Sequence, residues 1–321
     1  MVSTRAPGTW DGSYLSVIRR YRAFCAARTP PRVPVPAEPI TVCLFLQLVA
    51  SDAKSYASVK SASGALFTLH ELALVPVSEI PTKHPLAKGI REAAKRRIGL
   101  RLVNQKEPLE GDVLRSGILL YVPDAAIASL IALTSAAMVS TMWTGFLRYK
   151  DMKFVWVPLV KFYETHMEML LIERKNDQFR FGDVVYVARG QHRPSCPVYL
   201  CETLISRAGF TGMVNLFQGW DGRLARFHPD TTPLNGRHME YPQCRAVVHK
   251  FLQRTTGLSA AEVQTRWGTQ SLRSGGATTA AKQVDFRLFQ QHGAWHTATG
   301  AHRYILDDTE TRLSVTRCLG N

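Results

Sequence analysis

The stretch Gln-Ser-Leu-Arg-Ser-Gly-Gly-Ala-Thr, residues 270–278, decides how this chain is interpreted. Thr269 or Ser271 is a suitable N-cap for a helix that begins near Leu272, and this start would place Arg273 in the first helical turn. The backbone N–H groups and the dipole at the start of a helix favour a phosphate. Arginine is suited to the same ligand, because its guanidinium fork binds two phosphate oxygens at once and keeps its charge.

Gly275 and Gly276 follow the arginine inside the same predicted helix. Glycine lowers helix stability, so we expect these two positions to allow another part of the backbone to approach closely. Apolar residues then predict a packing segment. They are Val284, Phe286, Leu288 and Phe289.

Trp295 and Tyr304 complete a pattern typical of phosphoryl transfer without a metal ion. Gln-His-Gly-Ala-Trp, residues 291–295, is predicted to form a tight turn, and Tyr304 follows Trp295 by nine positions. The arginine and the indole N–H would stabilise the charge that develops on a phosphodiester, while the tyrosine attacks in line with the leaving oxygen. The aryl ester formed conserves the energy of the broken bond, so that a strand can be rejoined without ATP.

The composition indicates a globular protein with a polyanionic partner. The chain has 321 residues, 45% of them hydrophobic, which is enough for two domains and a sizeable core. Its net charge of +15 favours DNA, RNA or an anionic membrane, with a solvated basic surface as the alternative. Six scattered cysteines are predicted to be free thiols in a reducing compartment, and no apolar signal stretch precedes them.

Two other classes of protein are disfavoured by local sequence. Residues 125–147 carry no charge, but their Ala, Ser and Thr content and Gly145 favour a buried helix pair over a membrane span. Two groups of residues that could ligate a metal ion lack the paired spacing of zinc sites. They are His292, His296 and His302, and His192, Cys196 and Cys201. We therefore expect no metal ion and no cofactor.

The predicted organisation is a loose tail at 1–12, a helical domain at 13–104, a linker at 105–111 and a second domain at 112–321. The first domain has predicted helices at 14–28, 40–50, 56–74 and 85–101, with a proline-rich connector at 29–39. The fourth helix is strongly basic and is predicted to bind DNA. Its basic residues are Lys88, Arg91, Lys95, Arg96, Arg97 and Arg101.

The second domain is predicted to be mainly helical with a small β-sheet, so that the whole chain is an α+β protein. Helices are expected over 111–147 and again from Cys196 onward, with a loop-rich interruption at 219–236. Strands are expected at 152–157, 167–173 and 184–188.

The arrangement of these segments resembles the tyrosine recombinases, or phage-type integrases, and in particular members associated with mobile elements. Thr-Gly-Phe-Leu-Arg-Tyr-Lys-Asp-Met, residues 144–152, is similar to the family box that supplies a first catalytic arginine. The residues from Gln270 and from Gln291 onward are similar to the boxes that supply a second arginine and a His or Trp. The resemblance covers roughly residues 10–321, because the N-terminal helices resemble the family's core-binding domain.

The resemblance implies a role for each site residue. Arg148 and Arg273 would clamp the scissile phosphate, with Asp151 at the usual acidic position. Trp295 and Gln270 would complete the phosphate cage, although the family usually has histidine where this chain has Gln270, and glutamine cannot shuttle a proton. Lys175 would be the general acid, with Lys153 and Lys161 as alternatives, and Tyr304 would be the nucleophile.

The resemblance also implies the reaction and its partners. It implies a site-specific recombinase that binds double-stranded DNA as a homotetramer on paired sites and forms a 3′-phosphotyrosyl intermediate and a Holliday junction. No small-molecule substrate and no membrane partner are expected. The protein would be intracellular and DNA-associated, in a nucleus or a bacterial nucleoid. Two alternatives are a catalytically impaired DNA-binding protein, which Gln270 favours, and a type IB-like topoisomerase.

Overall fold

The computed structural model describes residues 14–99, 106–174, 182–228, 230 and 232–302. The chain divides into two compact units, residues 1–104 and 105–321. The predicted tail at 1–12 lies outside the described residues, and the finer domain boundaries stay predictions.

The first unit is a group of four helices. They are α1 (Leu15–Ala26), α2 (Pro39–Asp52), α3 (Tyr56–Leu72) and α4 (Pro85–Ile98). All four helices were expected from the spacing of apolar residues, and their bounds agree within a few residues. Their core is built around Phe45 of α2, whose ring makes edge contacts with Tyr21 and Phe24 of α1. Each fully buried ring of this kind contributes roughly 1.5–3 kcal/mol.

The second unit contains ten α-helices and five strands within its described residues. Its first helices and strands are α5 (Gly111–Tyr121), α6 (Leu130–Thr144), α7 (Tyr149–Met152), β1 (Val160–Phe162), β2 (His166–Leu171) and β3 (Asp183–Ala188). The rest are α8 (Pro197–Ala208), β4 (Gln218–Trp220), α9 (Gly222–Phe227), β5 (Leu234–His238), α10 (Tyr241–Thr256), α11 (Ala260–Arg266), α12 (Thr269–Ala281), α13 (Phe286–His292) and α14 (Ala298–His302). The expected α+β fold, mainly helical with small sheets, is confirmed.

Helix α6 is the central element of this unit, because every residue from Leu133 to Met142 is buried. It packs against α8 and α12. The helix pair expected over 125–147 is wrong: a turn occupies residues 124–128, and Ser129 caps one helix through its side chain. Among the described residues, no helix has both the length and the apolar character needed to span a membrane.

The first sheet is antiparallel with the order β1-β2-β3. Met167 of β2 pairs with Val187 of β3, and both side chains are buried, so one face of the sheet packs on the core. The strand predicted at 152–157 is wrong, since α7 ends at Met152 and the first strand is at 160–162. The stretch expected to be loop-rich at 219–236 contains α9 and much of a second, two-stranded sheet, β4-β5.

Helix α12 begins three residues earlier than expected, at Thr269 after the cap residue Gly268. Arg273 therefore lies in the second turn rather than the first. The expected close approach is confirmed at both glycines: a Cβ on Gly275 would lie 2.0 Å from the carbonyl oxygen of Leu109, and one on Gly276 would lie 2.1 Å from that of Trp143. These contacts join α12 to the segment before α5 and to α6.

Candidate active site

The site is built around Arg273, whose side chain is fully buried. Its Nη1 donates to the carbonyl oxygen of Phe146, and its Nη2 donates to that of Gly293 at 2.7 Å. The guanidinium carbon lies 4.5 Å from the centroid of the Trp295 ring, where the face of the indole attracts a cation. Arg273 thus joins two segments that are more than a hundred residues apart in the sequence.

The turn that carries Trp295 depends on the residues before it. A Cβ on Gly293 would lie 1.8 Å from the indole ring, so only glycine fits at this position. Ala294 has a φ of 48°, a left-handed conformation that is unfavourable for an alanine. The indole stacks on Phe289 with ring centroids 4.8 Å apart. This geometry fixes Trp295 against Arg273.

The segment before α7 brings Arg148 to the same place. Phe146, whose carbonyl oxygen accepts from Arg273, also has a left-handed φ, of 49°. Arg148 follows two residues later as the N-cap of α7, and its N–H donates to Asp151 Oδ2 at 2.9 Å. The guanidinium of Arg148 lies 3.8 Å from the same oxygen and is partly exposed. Left-handed residues other than glycine often mark functional sites.

Arg174 forms a cluster of arginines with Arg148 and Arg273. The sequence did not identify it as a site residue. Its side chain is 2% exposed; Nη1 donates to Asp183 Oδ2, and Nη2 lies 4.0 Å from Asp151 Oδ2. The family resemblance assigned the role of general acid to the neighbouring Lys175. Nothing in the sequence distinguished Arg174 from other basic residues near it. Fully buried Asp151 is therefore flanked by two guanidinium groups.

His292 is a partly buried residue near Arg174 and Arg273. Its Nε2 donates to the carbonyl oxygen of Thr144 at 2.8 Å, and its ring makes an edge contact with Phe146. Burial lowers the pKa of His292, and the nearby Arg174 and Arg273 lower it further. A neutral imidazole suits a site that already contains several guanidinium groups.

Of the predicted site residues, Arg273 contacts Trp295 and the backbone of Phe146, which precedes Arg148 by two residues. The side chain of Gln270 is exposed on the first turn of α12. Lys175 and Tyr304 lie outside the described residues, so their roles stay predictions. His302, the last described residue of α14, lies two positions before Tyr304 in the sequence, and Ala301 of this helix is buried in the same apolar cluster as Trp295 and Phe146.

The two competing lysines differ in their surroundings. The Nζ of Lys153 lies 4.7 Å from the ring centroid of Phe154, and Lys161 is an exposed residue of β1. Neither lysine has a described contact with the cluster of Arg148, Arg174 and Arg273.

A cavity of about 660 Å³ opens beside this cluster, between β3 and the helices α12 and α13. Its lining includes Val184, Tyr186, Leu288 and the ring of Phe146, and it holds no lysine or arginine among the described residues. Since Asp183 also lines it, the cavity is unsuited to a phosphate group. Three of the four residues of the predicted packing segment are exposed in this region, and only Phe289 is fully buried.

In the first unit, the basic residues of α4 divide into two groups. Lys88, Lys95 and Arg96 are exposed. Arg91 instead donates to Ser63 Oγ at 3.1 Å and to the carbonyl oxygen of Thr82 at 2.6 Å, while Arg97 donates to the carbonyl oxygen of Ala50. Arg101 lies outside the described residues. The Nζ of Lys88 lies 4.0 Å from Glu92 Oε1, whereas Arg91 and the exposed Arg97 tie α4 to its neighbours.

The two groups of possible metal ligands that the sequence disfavoured, which include His292 and Cys196, are not assembled in the described parts of the chain. No three His, Cys, Asp or Glu residues there are placed so that they could hold an ion. The five cysteines that the structure describes are free and buried.

No protein-family model matches the sequence, and no curated protein matches it. The fold nevertheless defines a class: it is the fold of the tyrosine recombinases and integrases. At 11–14% identity, these structural matches establish the fold, and the resemblance noted from the sequence is confirmed at that level.

Three solved structures illustrate the similarity. XerH recombinase in a post-cleavage complex with palindromic difH substrate has a TM-score of 0.59 and 13% identity, over 98% of this chain and 80% of that chain. The Tn1549 transposon integrase in complex with transposon right end DNA has a TM-score of 0.58 and 11% identity, over 94% and 92%. A lambda integrase tetramer bound to a Holliday junction has a TM-score of 0.55 and 14% identity, over 95% and 74%.

Proposed function

We propose that the protein is a site-specific DNA recombinase that cuts and rejoins strands through a 3′-phosphotyrosyl intermediate. One observation carries the proposal. In a tyrosine recombinase fold, Arg273 contacts Trp295 and the backbone of Phe146, two residues from Arg148. This contact supports a site in which the two arginines that the reaction requires meet from distant parts of the sequence.

Each step of the reaction has a residue to perform it. The phenol of Tyr304 loses its proton to water, and its oxygen forms a bond to the scissile phosphorus while the bond to the 5′-oxygen breaks. Lys175 gives a proton to that leaving oxygen. Arg148 and Arg273 neutralise the charge on the non-bridging oxygens, with Trp295 as a further donor. For Arg273, a phosphate would replace two neutral carbonyl acceptors by charged oxygens, which are stronger partners.

DNA binding is proposed for the exposed basic face of α4, formed by Lys88, Lys95 and Arg96. Their ammonium and guanidinium groups would neutralise backbone phosphates of duplex DNA and release counterions. Assembly as a homotetramer on paired sites is supported by the lambda integrase tetramer, which shares the fold.

A second candidate function is favoured by the burial of Arg273 and by the identity of Gln270. Its guanidinium is fully buried and held by two carbonyl oxygens, and Gln270, which cannot shuttle a proton, stands where the family usually has histidine. A protein that binds DNA without cleaving it would be consistent with both observations.

The two candidates are distinguished with a nicked suicide duplex, whose cleavage product cannot be religated. A binding site is first selected from random duplexes with the purified protein. The recombinase proposal predicts an SDS-resistant protein–DNA adduct that Tyr304→Phe abolishes. Tyr186→Phe, which alters an exposed tyrosine of β3, is the matched control and should keep the adduct. Tight binding of the selected site with no adduct would establish the second candidate instead.

A further inference from the structure

Asp151 is shared by two arginines. Its carboxylate is fully buried, and Oδ2 accepts the N–H of Arg148 at 2.9 Å. The guanidinium of Arg148 lies 3.8 Å from Oδ2, and that of Arg174 lies 4.0 Å from the same atom. Only Arg148 has a partly exposed side chain, with 12% of its surface accessible, against 2% for Arg174.

A buried carboxylate requires a counter-charge, since an isolated ionised group in the interior is strongly unfavourable. If Arg148 were the only cation beside Asp151, its movement toward a DNA phosphate would leave that carboxylate uncompensated. Asp151 would then compete with the phosphate for Arg148. Arg174 removes this conflict, because it cannot follow Arg148 to the surface: its other nitrogen is bound to Asp183.

The buried atoms between Asp151 and Arg174 have unused hydrogen-bonding capacity. Asp151 Oδ1 and Arg174 Nε and Nη2 are buried and have no hydrogen-bond partner among the described residues. Nη2 of Arg174 is separated from Oδ2 by 4.0 Å, so a shift of about 1 Å would form a charge-assisted hydrogen bond of ordinary length. The pair is thus able to close when Arg148 turns away.

We propose that Arg174 is a positioning residue that becomes the counterion of Asp151 and thereby releases Arg148 to bind the scissile phosphate. The inference rests on the proposed recombinase function. It assigns to Arg174 an action through Asp151 and Arg148, with no contact to DNA.

The test is the rate of adduct formation on the nicked suicide duplex in a double-mutant cycle. Arg174→Ala should slow the reaction about 10-fold to 100-fold, the size of loss seen when a residue that orients a metal-binding side chain is removed. Adding Asp151→Asn should restore part of that rate, because a neutral amide no longer retains Arg148. An Arg174→Ala protein as fast as the wild type, or a double mutant no faster than Arg174→Ala, would overturn the proposal.

Arg189→Ala is the matched control. Arg189 follows β3 and also has a carboxylate partner, binding Glu202 through two hydrogen bonds of 2.6 and 2.7 Å, but it has no described contact with Asp151. It should react at the wild-type rate. If Arg174→Ala does not fold, Arg174→Gln, which keeps donors but not the charge, replaces it in the same cycle with the same expected outcomes. Absence of an adduct from the wild type would instead contradict the proposed function itself.

Discussion

At the scale of single residues, Arg273 has a structural as well as a proposed chemical role. A fully buried guanidinium is tolerated because two carbonyl oxygens and the face of Trp295 surround it. The same contacts hold the left-handed residues Phe146 and Ala294 in place. The site and the fold of the second unit are therefore coupled through one side chain.

We predict that Arg273→Ala lowers the free energy of unfolding by about 2–5 kcal/mol, in addition to abolishing cleavage. The loss comes from a cavity and from two buried carbonyl groups without donors. Arg148→Ala, which truncates a partly exposed side chain, should cost less. Urea unfolding of both variants provides the comparison, and equal stabilities of Arg273→Ala and wild type would show that Arg273 is not an anchor.

A second residue-scale prediction concerns pH. Since burial lowers the pKa of His292, the folded protein binds a proton there less readily than the unfolded chain. The stability from this neutral histidine is fully present above its unfolded pKa of about 6.5 and is lost as the pH falls below it. We expect His292→Gln, which keeps a donor for Thr144, to weaken the dependence of unfolding free energy on pH between 7 and 5.

The His292→Gln variant should not remove the whole slope. Burial also lowers the pKa of His70 and His249, so both contribute in the same direction. A slope identical to that of the wild type would contradict the assignment of a neutral, buried His292.

At the scale of helices, the packing of α12 depends on the close backbone approach that its two glycines allow. The backbones of Leu109 and Trp143 approach Gly275 and Gly276 so closely that any side chain would collide with a carbonyl oxygen. The segment 106–110 lies along α11 and α12, where Leu109 N–H donates to the carbonyl oxygen of Ser271. The helix that carries Arg273 is thus held from two sides.

We predict opposite effects for two Gly→Ala substitutions in helices. Gly276→Ala should lower the free energy of unfolding by more than about 2 kcal/mol, because its Cβ would meet the carbonyl oxygen of Trp143. Gly89→Ala in α4 has open space around it and should raise stability by roughly 0.5–1 kcal/mol through helix propensity. Thermal unfolding compares the two, and a stabilising Gly276→Ala would contradict the close packing of α12 on α6.

The sequence predicted the helices of the first unit well, because apolar residues at helical spacing on α1 and α3 report one buried face. Through the family resemblance it also predicted Arg148, Arg273 and Trp295 as site residues, and their roles stay predictions. It did not predict the strand at 160–162, which is three residues long, or the role of Arg174 beside Asp151. An ion pair between residues distant in sequence leaves no periodic pattern, and charge alone does not separate a buried arginine from an exposed one.

At the scale of the whole molecule, the net charge of +15 is not equally available to a partner. Lys88, Lys95 and Arg96 project from α4, whereas Arg91 and Arg97 are engaged by the body of the first unit. The distinction separates residues that are proposed to bind DNA from residues that keep the helix in place.

We predict that neutralising Lys88, Lys95 and Arg96 together with glutamine weakens DNA binding and reduces the slope of log affinity against log salt by about 2–3. The unfolding free energy of this triple variant should stay close to that of the wild type. Arg97→Gln should instead lower stability by about 1 kcal/mol and leave the slope unchanged. Fluorescence anisotropy at several salt concentrations measures the slopes, and an unchanged slope in the triple variant would remove α4 from the DNA interface.

The central claim is that a phenol oxygen is joined to DNA at a phosphate held by Arg148 and Arg273. It is tested most directly by mapping the covalent adduct after digestion with nuclease and trypsin. Trypsin cleaves after Arg303 and Arg312, so Tyr304 is the only tyrosine of peptide 304–312. Tandem mass spectrometry should find a 3′-linked nucleotide on Tyr304. A nucleotide on any other residue, or no adduct from protein that binds its selected site, would contradict the claim.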